Sequence, residues 1–218
     1  VRLAIFDLDN TLIAGDSDHS WGEFLVQKNL VNAAVYAEAN DRFYQQYKAA
    51  TLDIQEYLAF SLAPLTGYTL DELAAFHQEF MRDYIEPMML PKAQALLKKH
   101  RDQGDYLLII TATNSFVTHP IAAYLGVDDI LASDAEIRDG RYTGKGTGTP
   151  CFQGGKVIRL QEWLKVKGFN LDDAYFYSDS INDLPLLEQV PNPVAVDADE
   201  RLSKIAQERG WKIMSLRD

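Results

Sequence analysis

Asp7 and Asp9 stand two residues apart, directly after the apolar run Leu3-Ala4-Ile5-Phe6. Residues two apart on a strand point to the same side, so two carboxylates share one spot. Ionised carboxylates are costly to bury without a compensating cation. The apolar run ending at Ile110 leads into Thr111, and the run ending at Tyr177 leads into Ser178, Asp179, Asn182 and Asp183. Three separated segments thus send acids and a hydroxyl toward one place. A hard cation is the natural compensation for Asp7, Asp9 and Asp179, and magnesium suits ligands from separated strand ends that leave room for water and phosphate. No cluster of cysteine and histidine favours zinc.

A free carboxylate beside such a cation suits phosphoryl transfer. Asp7 is placed to attack phosphorus, and Asp9 to protonate the leaving oxygen and then activate water. Phosphate-monoester hydrolysis is so slow that enzymes accelerate it by up to about 10²¹-fold. Positioning and charge neutralisation must carry most of that. Lys156, in "QGGKV" at a predicted helix start, supplies a protein cation helped by the helix dipole. Thr111 and the following amide of Ala112 are expected to hold phosphate oxygens, and Asn182 is counted with this set. Gly154-Gly155-Lys156 is not a nucleotide-binding P-loop, because position 150 is Pro and position 157 is Val.

The elements that must position these groups follow from periodicity. Strand-length apolar runs occur at 3–6, 106–110 and 174–177, with a weaker one at 193–196. Helix-periodic stretches at 91–104, 115–126, 155–168 and 199–210 lie between or after them. The alternation predicts an α/β fold, a Rossmann-like parallel sheet sandwiched by helices. Ligands of such sheets bind beyond the carboxyl ends of the strands, where the acids fall. From Ala14 to Met89 four helical patterns follow one another without a strand, which predicts an inserted small helical-bundle cap. The expected division is a core of 1–14 and 90–218 and a cap of 15–89. Residues 138–144 read as a hairpin turning at Asp139-Gly140. Asn182 is placed to cap the turn that begins at Asp183.

Composition narrows the partners. The net charge of −11 argues against nucleic acid and anionic membranes, leaving a small phosphorylated metabolite. No apolar run is long enough to span a bilayer, no signal peptide is visible, and the single Cys151 reads as an inert thiol. A reducing, cytoplasmic setting is expected. Oligomeric state is not legible. His77 and His100 read as surface or boundary residues, whereas His19 and His119 are candidates for touching substrate. The cap aromatics Trp21, Phe24, Tyr36, Phe43, Tyr44, Tyr47, Tyr57 and Phe60 read as a bundle core, with one or two lining the pocket.

Together these motifs resemble the haloacid dehalogenase-like phosphohydrolases. The first motif reads Asp7-Leu8-Asp9-Asn10-Thr11-Leu12, the second Thr111, the third Lys156, and the fourth Asp179 with Asp183, over a span from Leu3 to about Trp211. The resemblance implies Asp7 as nucleophile and Asp9 as acid/base. It implies Mg²⁺ held by the Asp7 and Asp179 carboxylates and the Asp9 carbonyl, with Asp183 supporting the metal or Lys156. The helical insertion resembles the cap of the phosphoserine-phosphatase-like subgroup, subfamily IB.

Two departures bear on substrate. Where those relatives carry a carboxylate-reading arginine this chain has Ser61, and Ala49–Met81 contains no Lys or Arg. A substrate carboxylate would lack its bidentate partner. Ala112-Thr113-Asn114 replaces a glycine pair of the second motif. Asp16, Asp18 and Glu23 are the candidate specificity residues. The expectation is a cationic or neutral phosphomonoester, such as an amino-alcohol phosphate, rather than phosphoserine. A phosphotransferase or mutase using the same aspartyl-phosphate, and a non-catalytic metabolite-binding relative, stay open at this point.

Overall fold

The computed structural model describes residues 1–217. The strands are β1 (Leu3–Phe6), β2 (Tyr106–Asn114), β3 (Asp129–Arg138), β4 (Arg141–Thr147), β5 (Tyr175–Ser178), β6 (Asn192–Val196) and β7 (Lys212–Met214). They form one sheet in the order β4-β3-β2-β1-β5-β6-β7. All pairs are parallel except β3 with β4. β1 lies centrally and all four of its residues are fully buried, which is why it reads as an unbroken apolar run. The β3–β4 hairpin turns at Asp139 and Gly140 with φ of 51° and 74°. Positive φ at both central residues suits the twist of the flanking strands.

The helices are α1 (Ser17–Gln27), α2 (Ala33–Ala49), α3 (Ile54–Leu62), α4 (Leu70–Phe80), α5 (Pro91–Asp102), α6 (Ser115–Leu125), α7 (Gly154–Lys167), α8 (Leu184–Leu187) and α9 (Glu200–Arg209). α6, α7 and α9 stop at left-handed glycines. Among the described residues no helix is long and apolar enough to cross a membrane. Four features depart from expectation. β3 and β7 are not anticipated: β3 is only half buried along much of its length, and β7 has three residues at the sheet edge. Ser180, not Asn182, caps the short turn Ile181–Asp183 by accepting from the Asn182 amide. His77 and His100 are buried rather than at the surface.

The chain leaves the sheet after β1 and returns before α5, where Ile13 bridges to Met89 and Ala14 N–H donates to Met88 O at 2.8 Å. Helices α1–α4 lie between those points. Gly22 lets α2 approach α1, since a Cβ there would stand 2.4 Å from Asn40 Nδ2. Trp21 packs against Phe24 and Phe80 of this region and against Phe116 of α6, at ring distances of 5.1, 5.2 and 5.1 Å. One apolar cluster therefore runs from the helical insertion into the sheet's own helices. His77 sits in that cluster, hydrogen-bonded to Val117 O at 2.8 Å, and burial pulls its pKa down. His100 is held between Asp105 and Tyr177, at 2.7 and 2.8 Å. Helical periodicity does not place either histidine inside, because what draws each one in is a single polar partner far along the chain.

Candidate active site

The carboxyl end of β1 delivers Asp7, whose amide donates to Tyr177 O of β5 at 2.9 Å. A tight turn follows, with Asn10 at φ 57° and Leu12 N–H donating to Leu8 O at 2.9 Å. It brings Thr11 back beneath Asp7. The Thr11 hydroxyl donates to Asp179 Oδ1 at 3.2 Å and lies 3.5 Å from Asp7 Oδ2, so both carboxylates surround one point.

Lys156 opens α7, and Gly155 precedes it because a Cβ there would lie 2.0 Å from Pro150 O. The lysine is 1% exposed. Its ammonium donates to Asp7 Oδ1 at 2.8 Å and lies 2.7 and 2.9 Å from the two oxygens of Asp183. Ser178 Oγ donates to Asp183 at 2.6 Å. Burial lowers the lysine's pKa, but Asp183 and Asp7 outweigh it and hold the ammonium charged.

Asp9 turns the other way. It accepts from the Ser17 amide at 2.6 Å and from Thr113 Oγ1 at 2.8 Å, with Thr111 Oγ1 at 3.5 Å. Burial, with Asp16 nearby, raises its pKa to about 6. Burial likewise pushes Asp7 up to about 7 against the pull of Lys156, and holds Asp179 well above the usual carboxylate range, helped by Asp7 and Asp183.

One ammonium pairs with Asp7 and Asp183 while Asp179 lies within the field of both acids, so the site carries excess negative charge that a divalent cation would neutralise. Oxygen donors from two separated segments suit magnesium. Among the described residues no three His, Cys, Asp or Glu side chains converge as a metal cluster. A donor set of two carboxylates, one carbonyl and waters needs no such trio, so the residues fit the ion.

A cavity opens over these groups. Asp7, Asp9, Thr111, Ala112 and Thr113 form its floor, and the walls come from α1, α2, α3 and the α2–α3 connection. Asp16 lines it while capping α1, accepting from the amides of Asp18 and His19 at 3.0 and 2.8 Å. His19 lines it too, bonded through Nε2 to Asp41 at 2.8 Å and packed against Tyr44 at 4.8 Å between rings. No Lys or Arg lines this cavity.

The other candidates lie elsewhere. Asp18 is buried against Asn114 Nδ2 at 3.3 Å, its other oxygen unpartnered, and does not line the cavity. Glu23 is exposed on α1. His119 is exposed on α6, in a separate groove beside α4 and β3. Asn182 turns toward the helical insertion, donating to Tyr47 O at 2.9 Å. Cys151 is buried, its thiol pushed up to about 12, as expected of an inert cysteine. Sequence reasoning did not single out Thr113, Asn40, Leu52 or Ile54, and left open which aromatics line the pocket. They are Phe43, Tyr44, Tyr47 and Tyr57. Only the hydroxyl of Thr113, two residues after Thr111, offered a signal.

A family model described as haloacid dehalogenase-like hydrolase matches residues 4–188. A histidinol-phosphatase of Neisseria meningitidis serogroup C (strain 8013) is 47% identical over 220 residues, 99% of each chain. A phosphoserine phosphatase of Mycobacterium tuberculosis is 33% identical over 98% of this chain and 70% of its own length. Among solved structures, a protein of unknown function from Bordetella pertussis Tohama I superposes with a TM-score of 0.93 at 45% identity, covering 99% of this chain and 98% of that one. A substrate-bound phosphoserine phosphatase shares the fold, with a TM-score of 0.71 at 17% identity over 99% and 93% of the two chains.

Proposed function

The chain belongs to the haloacid dehalogenase-like hydrolases and is a phosphatase, and from that premise we propose that it hydrolyses an amino-alcohol monophosphate, histidinol phosphate. The observation that carries this reading is the cavity wall, which offers Asp16, His19 and three tyrosines and no cation. Histidinol phosphate presents an ammonium and an imidazole and has no carboxylate. A carboxylate to accept from the ammonium and aromatic faces to pack the ring match it. Phosphoserine would bring its carboxylate against a wall without a guanidinium. The near full-length similarity to a protein named histidinol-phosphatase supports the same substrate.

Magnesium, held by the carboxylates of Asp7 and Asp179 and the backbone carbonyl of Asp9, would supply charge neutralisation for the phosphoryl oxygens. The Lys156 ammonium fixes the Asp7 carboxylate through Oδ1 and adds positive charge beside the phosphate. The Thr111 hydroxyl and the Ala112 amide hold phosphate oxygens. Asp7 attacks phosphorus, the ester P–O bond breaks, and the leaving alkoxide takes the proton of Asp9. A pKa near 6 keeps that proton available and makes the resulting carboxylate a competent base. Asp9 then takes a proton from water as its oxygen attacks the aspartyl-phosphate, and the P–Oδ bond breaks to restore Asp7.

The test is phosphate release from a metabolite panel with magnesium present. The expected result is magnesium-dependent release, highest with amino-alcohol phosphates and abolished in Asp7→Asn. Full activity in that variant would overturn the mechanism, and no need for magnesium would overturn the assignment of the ion.

A further inference from the structure

The C-terminal end of α2 is tied to the sheet side of the molecule by a set of bonds that the chemistry above does not use. α2 ends in a left-handed residue, Ala50, at φ 58°. Ala50 N–H donates to Tyr47 O at 3.0 Å and Thr51 N–H to Gln46 O at 2.9 Å. That pattern closes two of the helix's four orphan carbonyls and leaves those of Lys48 and Ala49 open. Arg201, in the first turn of α9, takes both: Nη2 donates to Lys48 O at 2.7 Å and Nη1 to Ala49 O at 3.2 Å. The second lone pair of Tyr47 O is taken by Asn182 Nδ2 at 2.9 Å. Three consecutive carbonyls, at the negative end of the helix dipole, are thus gripped by two side chains from across the cavity mouth.

Both grips are anchored in the loop that carries Asp179 and Asp183. Asn182 lies between those acids and accepts from Gln153 Nε2 at 3.1 Å, three residues before Lys156. Arg201 is joined to the same loop through Asp199. That residue accepts from the Ile181 amide at 2.7 Å, caps α9 by accepting from Leu202 N–H at 2.9 Å, and donates its own amide to Asp179 O at 2.8 Å. The gripped helix end carries Tyr47, whose side chain lines the cavity with Asp7 and Asp9.

We propose that Arg201 and Asn182 are positioning residues: they clasp the C-terminus of α2, hold Tyr47 over the phosphate site, and tie that wall of the cavity to the Asp179–Asp183 loop. The energetic logic is direct. Free in water, the Lys48 and Ala49 carbonyls would be solvated, so the clasp is worth only the net gain of two charge-assisted bonds. That is enough to favour this position of the helix end and too little to lock it. Arg201 is solvent-exposed and touches no reacting atom, so it acts only through α2.

The kinetic part of the test rests on the proposed substrate; the exchange part does not. Amide hydrogen exchange over residues 43–52 is measured in the wild type, Arg201→Ala and Arg201→Lys. Kinetics are measured with histidinol phosphate and with p-nitrophenyl phosphate. Arg201→Ala is expected to speed exchange in that segment about tenfold, for the loss of charge-assisted bonds. It should raise KM for histidinol phosphate about as much while changing kcat less than about twofold. Arg201→Lys, which keeps a donor, should fall between, and its smaller change safeguards the fold. Unchanged exchange in both variants overturns the clasp, whatever the activity. Faster exchange with an unchanged KM overturns the positioning role. Failure of the wild type to cleave histidinol phosphate counts against the substrate alone, because the exchange result still decides the clasp and the KM for whichever amino-alcohol phosphate the panel selects decides the positioning role.

Discussion

The two sides of the cavity are built on opposite principles. On the sheet side, charged groups are buried and answer one another: Lys156 is 1% exposed between Asp7 and Asp183. On the helical side, the lining groups are mostly aromatic or aliphatic, and the polar ones are held by neighbours: Asp16 caps the start of α1, His19 is bonded to Asp41 and Asn40 to His19 O. Moving a phosphoryl group needs concentrated, fixed charge, which a chain supplies best from short loops at strand ends. Choosing a substrate needs shape and a few polar contacts, which side chains on helices supply without disturbing the charges beneath. The contrast predicts that damage on the sheet side destroys turnover of every substrate, while damage on the helical side is felt only by the preferred one.

The largest expected effect is at Asp7. Asp7→Asn keeps the shape and removes the nucleophile, so kcat should fall about 10⁴-fold or more for every substrate in a phosphate-release assay. Circular dichroism should show an unchanged fold. Next is Lys156→Met, which leaves two buried carboxylates without their cation. Urea unfolding should show a loss of about 3–5 kcal/mol, together with lost activity. A variant as stable as the wild type would break the claim that this ammonium holds the site together.

Smaller, and selective, is Asp16→Asn. It should lower kcat/KM for histidinol phosphate about tenfold, the worth of one charged hydrogen bond, and leave p-nitrophenyl phosphate turnover nearly unchanged. Equal losses on both would erase the distinction between the two sides. The last effect concerns pH. Asp7 and Asp9 are raised from about 3.8 to about 7 and about 6 in the metal-free protein. The folded state therefore binds more protons than the unfolded chain across that window. The contribution of these two acids to stability without metal should be fully present below about pH 3.8, fall as pH rises toward 7, and level off above it. Melting temperatures in EDTA against pH test the sign, and magnesium should restore stability most above pH 7. A melting temperature that rises with pH in EDTA would contradict the buried-acid reading.

The chemistry was legible because charged residues following apolar runs are costly and need an explanation. Asp7, Asp9, Asp179 and Asp183 each follow such a run, Lys156 is legible from its place at a helix start and from the family resemblance, and the structure gathers all five at the carboxyl ends of the strands. The regular part of the fold was legible for the same reason, through unbroken apolar strands and amphipathic helices. β3 was not, because only its short stretch 131–133 is buried and its sequence mixes acids with small apolar residues. Asn182 shows a different limit. Its place beside Asp183 suggested the phosphate, whereas its amide meets a carbonyl 135 residues away. His77 and His100 likewise depend on partners far along the chain, Val117 O and Tyr177. Tertiary pairing of single polar groups leaves no periodic trace.

The central claim is that the sheet side performs a phosphatase reaction which the helical side restricts to a substrate without a carboxylate. A head-to-head comparison of kcat/KM for histidinol phosphate and L-phosphoserine, with magnesium and the same enzyme preparation, tests it most directly. The expected result is a preference for histidinol phosphate of about 100-fold or more, the scale set by leaving a charged substrate group unpaired. Equal or faster turnover of L-phosphoserine would contradict it.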